Sequence, residues 1–185
     1  MKLLVATGNP HKVEELRAAL PGFEIDAFVA PDMPPETGET YFDNARIKAR
    51  HARVHAPADA WVVGEDSGIE AAALDGRPGV ESARWADDGV SALLAALAAE
   101  TDRRVRYVSE LVAISPAGEE LRGTGTLDGV AAGSPSGVEG FGYDPIVIPL
   151  GETRTVAELG DAWKSAHSHR ALAATAFADQ LRRDR

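Results

Sequence analysis

Thr7-Gly8-Asn9-Pro10-His11-Lys12 is the first stretch of this chain whose residue types carry chemistry. It lies between the apolar run Lys2 to Ala6 and a pattern of Val13, Leu16 and Leu20 at helical spacing, so it reads as strand, tight turn and helix start. Asn9 suits the cap and Pro10 the first helical turn. Free backbone N–H groups and a Lys ammonium at a helix N-terminus favour an anion through hydrogen bonds and dipole alike. An ordinary capped helix with an exposed Lys has the same composition. Further on, Glu65-Asp66-Ser67-Gly68 follows the apolar Trp61-Val62-Val63. An Asp at the end of such a strand can hold Mg²⁺ and orient or deprotonate a water, as phosphoanhydride hydrolysis requires. A plain turn is the alternative, since Asp, Ser and Gly all form turns. On a strand the two acids point to opposite faces, so one at most serves a given pocket easily.

Glu36, Glu39 and Asp43 flank Thr37-Gly38 and offer a second metal carboxylate, although Glu39 and Asp43 also suit a negative first helical turn. Lys48 follows Asn44 by four residues on one helix face, and is a point-charge phosphate ligand if it faces a pocket or a solvated Lys if it does not. In Gly140-Phe141-Gly142-Tyr143-Asp144-Pro145 an aromatic between glycines can lie on a planar base, or can simply pack in a loop. Lys164-Ser165-Ala166-His167-Ser168-His169-Arg170 gathers cations in an acidic chain, favouring an anion or a base-edge acceptor over a merely polar helix face. His51 and His55 at i,i+4 lack a third zinc ligand and read as surface residues. Gly123 to Gly129 misses the dinucleotide glycine pattern and lies in an expected hairpin.

Positioning these groups requires several elements. Phe23, Ile25, Ala27 and Val29 alternate as a second strand, a helix runs from Thr40 to His55, and Trp61-Val62-Val63 forms a buried strand that ends in Gly64-Glu65-Asp66-Ser67-Gly68. Asp88 to Thr101 is helical, Arg104 to Ile114 is a long strand, and Pro116-Ala117-Gly118 turns it into a partner running through Leu127. A last helix carries Leu172, Ala176, Phe177 and Leu181. Residues 118 to 142 hold eight of the 18 glycines, so the backbone there turns tightly or is closely approached by a ligand. The mixture predicts an α/β fold with a mixed sheet.

Composition narrows the partners. The 19 Lys plus Arg against 29 Asp plus Glu leave a net charge of −10 in 185 residues, which argues against nucleic acid. The absence of cysteine excludes disulfides, thiolate metal sites and a Cys nucleophile. With no apolar run near membrane length and no signal-peptide pattern at the start, a soluble cytoplasmic protein is the expectation. Only four cations are Lys (Lys2, Lys12, Lys48 and Lys164) and only two residues are Asn (Asn9 and Asn44). Three of those lysines and both asparagines fall in the stretches above, where a compact ammonium or a neutral amide is needed.

Taken in order, TGNPHK, ETGETYFDNARIKA, GEDSG with LDGRPGVESARWA, GFGYDPI and AELGDAWKSAHSHR make the chain similar to the inosine triphosphate pyrophosphatase family, also called dITP/XTP diphosphatases, over nearly its whole length. The resemblance implies an α/β fold with a long mixed β-sheet flanked by helices, in two lobes with a nucleotide cleft between them, as one domain over residues 1–185. It implies hydrolysis of non-canonical purine triphosphates (ITP, dITP, XTP) to the monophosphate and pyrophosphate with Mg²⁺, by a homodimer. Carried over, Thr7, Gly8, Asn9, Pro10, His11 and Lys12 cradle the triphosphate, Asp66 is metal ligand and general base, Glu36 is the second metal ligand, and Lys48 and Ser67 contact substrate. Phe141, Gly142, Tyr143 and Asp144 line the base site with Phe141 stacking, completed by Lys164, Ser168, His169 and Arg170. Departures from the pattern are Gly64 for alanine, Asp43 for the glutamate of an ENA triplet, Trp163 for glutamate, and His167 and Ala171 around the SHR. Trp163 and His167 are expected to reshape the base pocket. The alternatives are a pyrophosphatase of other base preference (dTTP or UTP) and a catalytically idle nucleotide-binding protein.

Overall fold

The structure is a computed structural model that describes residues 1–183. Strand β1 (Lys2–Val5) leads through the Thr7-Gly8 turn into helix α1 (Pro10–Ala19), where the Asn9 side chain accepts the His11 N–H at 3.0 Å and Pro10 opens the helix. Strand β2 (Glu24–Ala27) is shorter than its alternation predicts, and Val29 is 66% exposed, because β2 is an edge strand paired over four residues with β1 alone. Helix α2 (Tyr41–His55) begins with a reciprocal capping box between Thr40 and Asp43.

Strand β3 (Trp61–Ala71) corrects the expectation that the strand ends in Gly64-Glu65-Asp66-Ser67-Gly68. Each residue from Val62 to Ala71 pairs with strand β4 (Arg104–Ile114), so the ladder carries Glu65, Asp66 and Ser67 into mid-strand rather than a turn. Helix α3 (Gly89–Ala96) also ends sooner than predicted: Asp88 caps it, and beyond Leu97 the chain turns back, with Arg103 donating to the Leu97 carbonyl at 2.9 Å. Strand β5 (Glu120–Ala131) runs past the expected end at Leu127, and strand β6 (Val147–Pro149) pairs with its last residues. Helix α4 (Val156–His167) breaks at Gly160, whose φ of 82° only glycine takes without strain, and the Glu139 carboxylate accepts the next N–H, from Asp161, at 3.0 Å. Helix α5 (His169–Arg183) closes the fold.

The six strands form one mixed sheet in the order β2-β1-β3-β4-β5-β6, parallel among β2, β1 and β3 and antiparallel from β3 onward. At one end of β3 and β4 lies a core of Leu3, Val5, Leu16, Leu111 and Phe177 under α1 and α5, with Val62 and Val112 under α2 on the opposite face. At the other end Ile69, Leu93, Val105, Tyr107 and Ile146 form a separate core. The two long strands therefore run through two lobes and cross the gap between them near Ser67 and Gly68.

Two helices rest directly on the sheet. The face of α2 toward β3 is Ala45, Ala49 and Ala52, all fully buried, and a Cβ built on Gly64 would lie 1.9 Å from the Ala45 carbonyl oxygen. Under α5, a Cβ on Gly125 would lie 2.0 Å from the His169 carbonyl oxygen. The glycines of β5 are thus approached by protein backbone, not by a ligand. Because Gly64 stands where the resemblance expects alanine, Gly64→Ala must lift α2, and overpacking of this kind costs about 1–3 kcal/mol. Thermal or urea unfolding should show that loss, and a neutral result would mean that α2 yields freely.

Candidate active site

Glu65 and Asp66 sit side by side at the centre of β3 and point to opposite faces of the sheet. On the α2 face, Asp66 accepts from Asn44 Nδ2 at 3.2 Å and from Lys48 Nζ at 3.0 Å, and Lys48 also donates to Glu36 at 2.7 Å. Asn44 is 0% and Lys48 6% exposed, so this Lys is not solvated. The other amide atom of Asn44 accepts the Gly38 N–H at 2.8 Å, which ties down the segment carrying Glu36. Asp43 is used by the capping box and Glu39 is exposed, so Glu36 is the carboxylate that shares the Lys48 ammonium with Asp66. Burial raises the Asp66 carboxyl above its usual range; Lys48 opposes that and Glu36 adds to it. Burial acts on Glu36 too, but Lys48, Lys12 and Arg84 hold it below its usual range.

On the other face, six charged groups alternate in sign. Lys12 lies 2.7 Å from Glu65, Glu65 is 3.0 Å from Arg170 Nε, Arg170 binds Glu15 through its terminal nitrogen, Glu15 is 2.5 Å from Lys164, and Lys164 is 2.6 Å from Asp144. Tyr107 donates to Asp144 at 3.1 Å, Ser109 to Glu65 at 3.1 Å, and Arg170 to Ser67 at 2.8 Å. Burial alone would raise Glu65, but Arg170, Lys12 and Lys48 hold it well below the carboxylate range. Asp144 goes the other way: burial raises it and Lys164 only partly compensates. Glu65 was legible in the sequence as the second acid of the pair, but not as a partner of Arg170, 105 residues away. Nothing in the sequence marks Glu15.

Between the lobes lies a cleft of about 470 Å³. Of the residues expected in the site, Asn9, Lys12, Ser67, Phe141, Gly142, Tyr143, Asp144, His169 and Arg170 line it. Thr7, Gly8, Pro10 and His11 do not line it; Thr7 Oγ1 accepts the Asn9 N–H at 3.1 Å and so shapes the turn. Glu36, Lys48 and Asp66 stand on the far face of β3 from Glu65, linked to the cleft by Lys12, whose charge lowers both Glu36 and Asp66. Two further expected residues lie away from the cleft lining. Ser168 is buried and accepts the Ala171 N–H at 3.1 Å, capping α5 instead of facing a base. Lys164 is buried under the cleft, with its ammonium taken by Asp144 and Glu15. Trp163 and His167 do not line the cleft either; they stack on each other at 5.0 Å, and Trp163 packs on the far core.

Phe141 is held by neighbours on several sides. Its ring stacks on His11 at 5.2 Å, with Lys164 Nζ 4.8 Å and Arg170 Cζ 5.6 Å from its centroid. Gly140 and Gly142 on either side have φ of 76° and 61°. Deeper in, His169 stacks on Tyr107 at 4.5 Å and 4°, and its Nδ1 is buried without a partner. Burial, reinforced by Arg170, holds the imidazole neutral far below its usual range.

Comparisons with known proteins bear on the family and the fold. The family model described as Ham1 family matches residues 3–180. Among curated proteins, the dITP/XTP pyrophosphatase of Bdellovibrio bacteriovorus is 40% identical, covering 98% of each chain, and that of an Exiguobacterium species is 44% identical, covering 94% of this chain and 93% of its own. Among solved structures, the Staphylococcus aureus Ham1 protein superposes with a TM-score of 0.84 at 30% identity over all of both chains. A HAM1 protein from Coxiella burnetii gives 0.85 at 33% identity over 99% of each.

His169 makes the cleft sensitive to acid. The unfolded chain protonates it near 6.5 and the folded chain does not, so the unfolded state binds the extra proton and stability falls as pH drops below 6.5. Urea midpoints measured from about pH 7 to 5 should fall more steeply for the unmodified chain than for His169→Gln; equal slopes would mean that the ring protonates in place.

Proposed function

The chain belongs to the Ham1 family, and from that premise we propose that it hydrolyses non-canonical purine nucleoside triphosphates (ITP, dITP and XTP) to the monophosphate and pyrophosphate, cleansing a cellular nucleotide pool. The observation that carries this is near-full-length similarity, at 40 and 44% identity, to proteins named dITP/XTP pyrophosphatase. The substrate lies with its base in the cleft against Phe141 and its triphosphate toward the Thr7–Lys12 turn. Two cations that line the cleft, Lys12 from the turn's helix and Arg170 beside Phe141, support that orientation. The chain acts in this reading as one cytoplasmic domain, paired as a homodimer.

Hypoxanthine and xanthine carry an oxygen at C6 where adenine carries an amino group. Arg170, the cation of the late cluster that lines the cleft, suits that oxygen and leaves ATP with donor facing donor. A buried polar mismatch of this kind discriminates by about 10⁴ to 10⁵. Lys164 supports the same edge from below through Asp144, which also fixes the Phe141 N–H at 2.9 Å.

Asp66 takes a proton from the water that attacks the α-phosphorus. A bond forms from the water oxygen to phosphorus, the α–β bridging bond breaks, and pyrophosphate leaves with that electron pair. The raised Asp66 carboxyl suits a proton acceptor, Lys48 offsets its charge, and Asn44 orients it. Glu36 and Asp66 would hold a divalent cation: both carboxylates converge beside Lys48, and their oxygen donors suit a hard ion such as Mg²⁺. When bound, the ion neutralises phosphate charge.

Asp66→Asn keeps the shape and removes the base, so pyrophosphate release from ITP should fall about a hundredfold or more; near-normal release would remove Asp66 from this role. A panel of ITP, dITP, XTP, GTP, ATP, dTTP and UTP at fixed Mg²⁺ should show the first three hydrolysed fastest, and preference for a pyrimidine would overturn the substrate assignment.

A further inference from the structure

We infer that Glu65 is a positioning residue that links the two halves of the substrate site, as the shared counter-ion of Lys12 on the triphosphate side and Arg170 on the base side. The inference rests on the proposed orientation of the substrate. Glu65 itself touches no ligand: its side chain is 0% exposed. Its Oε2 lies 2.7 Å from Lys12 Nζ and its Oε1 accepts from Arg170 Nε at 3.0 Å and from Ser109 at 3.1 Å. Lys12 and Arg170 both line the cleft, and they reach it from different helices, α1 and α5, that no covalent route joins closely.

The surrounding charges make this carboxylate hard to replace. Oε2 lies against the Lys12 ammonium, and among the described residues Lys12 pairs with no other carboxylate, so without Glu65 the ammonium loses the partner that holds it in place. Arg170 would keep Glu15 and Ser67 but lose its central anchor. Because Arg170 also holds Ser67, the neighbour of Asp66, the pair Glu65–Arg170 bears on β3 at two successive inward positions around the proposed base. Glu15 plays a one-sided part by comparison, since its partners Arg170 and Lys164 both belong to the base end.

The test separates the two halves with probes that each carry one. Binding of inosine and of tripolyphosphate with Mg²⁺ is measured by calorimetry for the full unmodified chain, Glu65→Gln and Glu65→Asp, with kcat and KM for ITP alongside. Glu65→Gln should weaken both probes by about tenfold, the scale of coupling within one ion-pair network, and Glu65→Asp should restore part of each. In a Lys12→Met background, Glu65→Gln should no longer affect tripolyphosphate but should still weaken inosine, whereas general loosening of the cleft would weaken both there. Loss confined to one probe, or to neither, overturns the inference while leaving the proposed reaction intact. Failure of the unmodified chain to bind either probe overturns both. If Glu65→Gln does not fold, the same comparison is read from Glu65→Asp, where loss on both sides supports the link and loss on one side refutes it.

Discussion

Charge burial governs this molecule. The middle of a sheet covered by helices on both faces is a costly place for an ion, and an unpaired one there is not tolerated. The chain nevertheless places Glu65, Asp66, Arg170, Lys164 and Asp144 in that region, each nearly or fully buried. It does so by alternating sign from Lys12 to Asp144, three cations against three carboxylates, so that no member faces the interior alone. Removing one member strands its neighbours, and for that reason the positions of α1, α4, α5 and β3 relative to one another are all set by a single network.

The same network explains how a protein of net charge −10 can suit a polyanion. Long-range attraction is not available to it, and the surface repels a triphosphate. Binding must come from a few cations held in place by their own counter-ions, so the ordering cost is met in the folded chain before any ligand arrives. Carboxylates beside the proposed phosphate site look adverse until their role as clamps on Lys12, Lys48 and Arg170 is seen.

Much of this was legible in the sequence. The Asn9 cap, the Thr40 capping region and the long β4–β5 hairpin follow from local patterns, because caps and alternation are decided by residues a few positions apart. The five motifs located most of the cleft lining. What escaped was decided at long range: ladder pairing with β4 overrode the turn-forming character of Glu65-Asp66-Ser67-Gly68, and Ser168 and Lys164 were drawn inward by helix capping and by Glu15. The glycines of β5 showed that something approached closely, but not that it was α5. Glu15 was invisible because an acidic residue on a first-helix face looks the same whether it meets water or a guanidinium brought in from the opposite end of the chain.

The passage of β3 and β4 through both lobes has a mechanical consequence. Ten consecutive backbone pairs, Val62–Ile114 to Ala71–Val105, span the gap without a loop, so the lobes are joined by a ribbon in bending and not by a pivot. Any change in the width of the cleft must therefore bend that ribbon along its length. Gly64 and Gly68 flank Asp66 on the α2 face of that ribbon, and the Ala45 and Gly79 carbonyls pack directly on them, so the ribbon is braced where the proposed base stands.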